Sequence, residues 1–88
     1  MFIHLGQDTV VRSKDVIGIF DMDNTTVSKN SRDFLAKAEK RGEVINVSYE
    51  LPKSFIITSE NKKNRVYISQ ISSSTLQKRS DFILKIDL

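Results

Sequence analysis

The sequence predicts a single small α+β domain, in which one helix packs on an antiparallel sheet of about five strands. A short C-terminal helix and an apolar tail are predicted to follow. The length of 88 residues allows one domain. Three strand-like segments follow one another between residues 44 and 71, and an amphipathic segment with helix-capping residues precedes them. Consecutive strands with short polar links favour an antiparallel meander.

The N-terminal quarter is predicted to supply the first strands. Phe2–Leu5 is a short apolar run that ends at Gly6, and Thr9–Val11 can continue the sheet. Val16–Met22 is a longer apolar segment and the clearest strand of the three. His4 lies within the first strand, where we interpret it as a structural residue rather than a ligand.

A helix is predicted over Ser31–Arg41. Asn30 or Ser31 can cap its N-terminus, and Gly42 suits the left-handed position that follows a helix. The apolar stripe of this helix is narrow, so most of its circumference is expected to face water. Its outer face carries basic side chains, namely Arg32, Lys37, Lys40 and Arg41.

The three central strands are predicted at Val44–Tyr49, Ser54–Thr58 and Arg65–Ile71. Apolar and polar residues alternate in the first, which is typical of a half-buried strand. The second is apolar on both faces, which favours a central position in the sheet. Tyr49 and Tyr67 occupy strand positions and are therefore predicted to lie in the core.

The C-terminal segment is predicted to form a helix and a tail. Ser72–Thr75 offers N-caps for a short helix, Leu76–Arg79. We assign residues 1–80 to a single α+β domain and residues 81–88 to the tail. Every second residue of the tail is apolar, and the tail fits either an edge strand or a continuation of the helix. Its apolar side chains must be covered, and we predict a contact with another subunit through Phe82, Leu84, Ile86 and Leu88.

Composition and charge exclude several classes of function and favour one kind of partner. The chain has no cysteine and one histidine, so we predict no disulfide and no metal site built from thiol or imidazole ligands. No apolar run approaches the roughly 20 residues of a membrane span, and the N-terminus lacks the pattern of a signal peptide. The expected location is the cytoplasm. The net charge is +3, but residues 28–88 hold 12 basic and 7 acidic side chains, which gives +5 there. This excess favours an anionic partner.

A short motif resembles a catalytic site. The apolar run that ends at Phe20 is followed by Asp21-Met22-Asp23-Asn24-Thr25, which resembles the first motif of haloacid-dehalogenase-type phosphatases. There the first carboxylate would attack phosphorus and the second would act as acid and base near Mg²⁺. That fold needs a parallel sheet over well above a hundred residues, so we interpret the motif as a polar loop. We predict that the protein is not an enzyme, and a phosphatase built on Asp21 and Asp23 is the remote alternative.

Four segments carry a family resemblance. They are Phe2–Gly6, Asp15–Asp21, Pro52–Ser54 and Ser72–Arg79. In this order and spacing the chain resembles the extracellular matrix regulatory family of Gram-positive bacteria, and it is most similar to the B-type branch. The Phe82–Leu88 tail also looks like that branch.

The resemblance implies a function. The A-type members of that family are DNA-binding regulators of biofilm matrix genes that assemble as ring-like homo-oligomers. The resemblance therefore implies that this chain is an oligomeric regulator without a cofactor. It would act on double-stranded DNA, alone or with an A-type relative. In the A-type members an arginine-rich turn after a tyrosine is implicated in DNA contact. Here the tyrosine is Tyr49, and the turn reads Glu50-Leu51-Pro52-Lys53.

Two hypotheses remain open. In the first, the protein binds DNA phosphates through basic loops, with contacts from Lys14, Lys53, Lys62, Lys63 and Arg65. In the second, the protein keeps the ring fold as an interaction protein but has lost DNA contact, because Leu51 and Pro52 stand where arginines are expected. Arginine grips phosphate through a planar fork, and Lys53 supplies only a point charge there.

Overall fold

The structure is a computed structural model of the chain, and it describes residues 1–22 and 29–79. A 3₁₀ turn, Ser13–Asp15, connects the second strand to the third. The remaining elements of the described residues are, in chain order, β1 (Phe2–Gly6), β2 (Thr9–Arg12), β3 (Val16–Asp21), α1 (Lys29–Lys40), β4 (Val44–Asn46), β5 (Ser54–Glu60), β6 (Lys63–Ser69) and α2 (residues 73–79).

The architecture is α+β, as predicted, with six strands in the described residues. They form two sheets rather than one: β1 and β2 make an antiparallel hairpin, and the other four strands make a sheet in the order β3-β5-β6-β4. β5, which is apolar on both faces, lies in the centre of the larger sheet, as its sequence predicts.

The predicted antiparallel meander is correct for β5 and β6 but wrong for β4. β4 pairs in parallel with β6, with Val44 opposite Val66. β5 already has β3 and β6 as its neighbours, so β4 adds to the free side of β6. The chain then crosses the end of β6 to reach β5. Backbone hydrogen bonds from Val47 to Ile68 and from Lys53 to Ser69 fix the two ends of this crossing.

The crossing also explains why the first central strand is shorter than predicted. β4 ends at Asn46, three residues before Tyr49. At the turn, the backbone N–H of Glu50 donates to the Ser48 hydroxyl at 3.0 Å, a local bond that competes with a strand ladder. Tyr49 is fully exposed, so its predicted place in the core is wrong, whereas Tyr67 is buried as predicted.

The helix α1 is close to its predicted bounds. It includes Asn30 and Ser31, so these residues do not cap it as predicted. Its C-terminus does follow the prediction: Gly42 has a φ of +70°, and its N–H donates to the Glu39 carbonyl. The N–H of Glu43 donates to the Ala38 carbonyl at 3.0 Å. These two bonds form a Schellman motif, which ends the helix and turns the chain into β4.

The core lies on both faces of the four-stranded sheet. On one face Ala38 of α1 packs with Phe55 and Val66. On the other face the sheet packs against buried side chains of the β1–β2 hairpin and against Leu76 of α2. Leu76 is fully buried. The molecule therefore has three layers, with the sheet in the middle.

The N-cap predicted for the C-terminal helix is confirmed. The hydroxyl of Ser72 accepts the backbone N–H of Thr75 at 3.3 Å, which is the bond of an N-cap residue. The tail of residues 81–88 lies outside the described residues, with the predicted contacts Phe82, Leu84, Ile86 and Leu88. None of the helices described is long and apolar enough to cross a membrane.

Candidate nucleic-acid interface

One end of the four-stranded sheet brings basic side chains from separate parts of the chain together. β5 and β6 are joined there by a two-residue turn, Asn61 and Lys62. Because β4 runs parallel to β6, it begins at this same end. The C-terminus of α1, which leads into β4, therefore lies beside the turn. Four cationic side chains meet here, and we call them the hairpin-end cluster: Arg41, Lys62, Lys63 and Arg65.

The hairpin-end cluster lines an open cavity of about 510 Å³. All four of its side chains are exposed. Among the described residues that line this cavity, Glu43 is the one acid, and its carboxylate lies 3.2 Å from Nε of Arg41. Four positive charges against one negative charge leave a net charge of +3 around the cavity. This arrangement attracts anions.

The carboxylate of a second acid near the cluster, Glu60, accepts hydrogen bonds from side chains of the sheet. Oε2 of Glu60 accepts hydrogen bonds from the hydroxyl of Thr58 at 2.6 Å and from the hydroxyl of Tyr67 at 2.8 Å. Burial raises the pKa of Tyr67, the hydrogen bond to Glu60 raises it further, and Arg65 lowers it. Two hydroxyl donors therefore hold the Glu60 carboxylate, which makes it a poorer partner for the neighbouring cations.

The structure divides the predicted phosphate contacts between the two ends of the sheet. Lys14 lies in the 3₁₀ turn before β3, whose first residue pairs with Thr58 near the end of β5. Lys14 is therefore at the same end as the hairpin-end cluster, on the β3 side. Lys53 precedes β5, at the opposite end. The seven residues of β5 separate it from the cluster by about 20 Å.

Arg41 is not among the phosphate contacts that the sequence predicts. Its place on the outer face of the helix indicates only an exposed cation. The parallel pairing of β4 with β6 sets Arg41 beside Lys62, and the sequence carries no direct sign of that pairing. The one sequence signal for this arrangement is Gly42, which marks the point where the helix ends and the chain turns.

Comparison with known proteins gives the family. Residues 2–80 match the model of a family described as extracellular matrix regulatory protein A-like. The chain belongs to this family. It is also similar to the extracellular matrix regulatory protein B of Bacillus subtilis (strain 168), with 40% identity over 87 residues, which are 99% of each chain. The comparisons confirm the resemblance that the sequence indicates, and they are consistent with a regulator of matrix genes.

The turn before β5 differs in character from the hairpin-end cluster. It is the place where the sequence resemblance to the extracellular matrix regulatory family leads us to look for arginines. Tyr49 is fully exposed and Leu51 is 81% exposed. A hollow of about 340 Å³ lies beside them, lined in part by Glu50 and Pro52. This turn therefore presents apolar side chains and an acid, with Lys53 as its cation.

Of the two aspartates in the Asp21–Asp23 motif, one lies in the described part of the chain. Asp21 ends β3, which pairs antiparallel with β5 through Ser54. The phosphatase motif it resembles would lie in a parallel sheet. Asp23 lies outside the described residues. Among the residues the structure describes, no group of three or more His, Asp or Glu side chains could hold a metal ion.

Proposed function

We propose that this member of the extracellular matrix regulatory family is a DNA-binding regulator of matrix genes. In this proposal the hairpin-end cluster contacts the phosphates of double-stranded DNA. The observation that carries the proposal is the cavity with four exposed cations and one acid. Family membership supports the regulatory role. The role needs no cofactor, metal or catalytic step, and the expected location is the cytoplasm.

The chemistry of the cluster fits a phosphate backbone. Arg41 and Arg65 carry planar guanidinium groups, which can form two parallel hydrogen bonds to one phosphate. Lys62 and Lys63 supply mobile point charges. Lys14, at the same end of the sheet, can extend the contact along the backbone. Neutralising phosphates and releasing their counterions supplies most of the non-specific affinity of such proteins for DNA.

We also propose that the protein works as a homo-oligomer. One cluster of four cations is small compared with the 6 to 10 phosphate contacts, roughly, of a strong DNA-binding protein. Repeating the cluster by symmetry multiplies the number of contacts. The resemblance to ring-forming family members supports this, and the apolar tail with Phe82, Leu84, Ile86 and Leu88 is the proposed subunit contact.

The test is a fluorescence anisotropy titration of a long duplex at 50 mM and 200 mM KCl, with the mass of the protein measured in the same buffers. Four contacts at a slope of about −0.9 each predict a slope of about −3.6 in log K against log salt for each engaged subunit. The expected affinity therefore falls about 150-fold per engaged subunit over this range. Salt-independent binding would contradict the proposal.

The exposure of Tyr49 and Leu51 favours a second candidate function. In this alternative the protein assembles like its relatives but binds another protein through the turn before β5. It predicts an oligomer that does not bind duplex DNA at 50 mM KCl. Deleting residues 81–88 should then lower the mass of the assembly, and an unchanged mass would exclude the tail as a subunit contact.

A further inference from the structure

The turn between β5 and β6 places a lysine in a backbone conformation that glycine usually takes. The φ angles are +52° at Asn61 and +68° at Lys62, and Glu60 pairs with Lys63 across the closed end of the hairpin. A two-residue turn with both φ angles positive is of type I′. Asparagine is common at its first position and glycine at its second. A lysine at the second position is strained, because its Cβ crowds the following carbonyl oxygen.

The same structure shows glycine where only the conformation matters. Gly42 has a φ of +70°, close to that of Lys62. A Cβ built at Gly42 would meet no atom within 4 Å, so it is the backbone angle, and not a lack of space, that glycine serves there. At the hairpin turn, a charged residue, Lys62, occupies this strained conformation instead of glycine.

The charge of Lys62 brings no evident benefit to the fold. Lys62 lines the cavity with three other cations, Arg41, Lys63 and Arg65, and like charges at close range repel. The acids nearby have other partners: Glu43 is paired with Arg41, and Glu60 accepts hydrogen bonds from two hydroxyls. The backbone angle of Lys62 therefore opposes stability, as is common for residues kept at binding sites, and no ion pair of Lys62 among the described residues offsets that cost.

We propose that Lys62 is a dedicated phosphate-binding residue, and that the cavity it shares with Arg41, Lys63 and Arg65 holds a phosphate group. The inference rests on the proposed function in one respect, which is that the phosphate belongs to a DNA backbone. The volume of about 510 Å³ is within the range of small-ligand sites, so a free phosphate compound has the same chemistry and fits the same space. The experiment separates these two sources.

The experiment compares Lys62→Gly, which relieves the strain and removes the charge, with Lys62→Ala, which removes only the charge. Lys37→Ala is the matched control, because Lys37 is an exposed cation of α1 outside the cavity. Each full-length variant is melted by circular dichroism with and without inorganic pyrophosphate, against sodium chloride of equal ionic strength. Each variant is also titrated with a long duplex at two salt concentrations.

We expect Lys62→Gly to melt about 4 °C higher than Lys62→Ala, because glycine relieves the backbone strain at this position. The melting temperature of a small domain rises by about 4–8 °C for each kcal/mol of added stability. Pyrophosphate should raise the melting temperature of the unmodified protein and of Lys37→Ala, but not that of either Lys62 variant. The salt slope for DNA should fall in magnitude by about 0.9 per engaged subunit in both Lys62 variants.

The outcomes separate the inference from the proposed function. If Lys62→Gly melts no higher than Lys62→Ala, the strain argument is wrong. If both Lys62 variants respond to pyrophosphate and to DNA as the unmodified protein does, Lys62 is not a phosphate-binding residue and the inference is overturned. If the response to pyrophosphate requires Lys62 but no duplex is bound, the site stands, its phosphate comes from a free compound, and the proposed function fails.

Discussion

Replacing Lys63 and Arg65 by glutamine removes half of the charge of the hairpin-end cluster. Both side chains are exposed and project from the start of β6. Exposed charged side chains of this kind each contribute about 0–1 kcal/mol to stability, so the double variant should remain folded. Its DNA affinity should fall steeply, because both residues are proposed to bind phosphate.

The magnitude follows from the number of phosphates that each subunit engages. The double variant keeps two of the four proposed phosphate-binding side chains, so the salt slope per engaged subunit should change from about −3.6 to about −1.8. At 0.1 M salt each phosphate contact contributes about 0.9 log units to the binding constant relative to 1 M salt. The double variant should therefore bind about 60-fold more weakly per engaged subunit at 0.1 M.

The assay is the anisotropy titration with a long duplex, and its control is the double variant Lys37→Gln and Lys40→Gln. This control removes the same charge from exposed positions of α1 that do not line the cavity. We expect the control to keep a slope near −3.6 per engaged subunit, roughly that of the unmodified protein. If both double variants weaken binding equally, net charge and not the hairpin-end cluster determines DNA affinity. An unchanged slope in the cluster variant would show that Lys63 and Arg65 do not bind DNA phosphates.

Three further predictions concern the fold, and urea unfolding followed by circular dichroism checks each of them. Gly6→Ala should lower the free energy of unfolding by about 2 kcal/mol, because φ is +119°, a backbone angle that residues with a Cβ rarely adopt. Leu76→Ala should lower it by about 3 kcal/mol, because it leaves a cavity where the fully buried Leu76 side chain of α2 packs against the sheet. Since burial raises the pKa of Tyr67 above its ordinary value of about 10, the stability this group contributes is present below about pH 10 and lost as pH rises towards the folded-state pKa. Tyr67→Phe should lose less stability on the same pH rise.

Each of these predictions has a result that would contradict it. A Gly6 variant of unchanged stability would mean that the turn between β1 and β2 relaxes without strain. A Leu76 variant that loses less than about 1 kcal/mol would mean that α2 is not part of the core. Parallel losses of stability above pH 10 in the unmodified protein and Tyr67→Phe would show that other groups dominate the alkaline transition.

Local patterns predict the elements of the fold better than their pairing. The apolar run of β5 and the turn residues after it predict the β5–β6 hairpin, and Gly42 predicts the end of α1. The alternation of apolar and polar residues in a strand indicates which side chains are buried, but it does not indicate which neighbouring strand pairs with it. For that reason the sequence predicts the wrong neighbour for Val44–Asn46, and it predicts Tyr49 inside the core.

The candidate site can be predicted only in part for the same reason. Lys62, Lys63 and Arg65 are close in sequence, and their charge is enough to select them. Arg41 is distant in sequence, and only the parallel register of β4 brings it to the cavity. Charge alone groups Lys53 with the cluster, whereas the length of β5 places it at the other end of the sheet.

In the proposed function, duplex DNA binds at the hairpin end of the sheet. The test is acetylation of lysine side chains, measured by mass spectrometry of the full-length protein with and without a long duplex at 50 mM KCl. We expect DNA to protect Lys62 and Lys63, while Lys37 and Lys53 react equally in both samples. Protection of Lys53 with full reactivity of Lys62 and Lys63 would contradict it and would move the interface to the turn before β5.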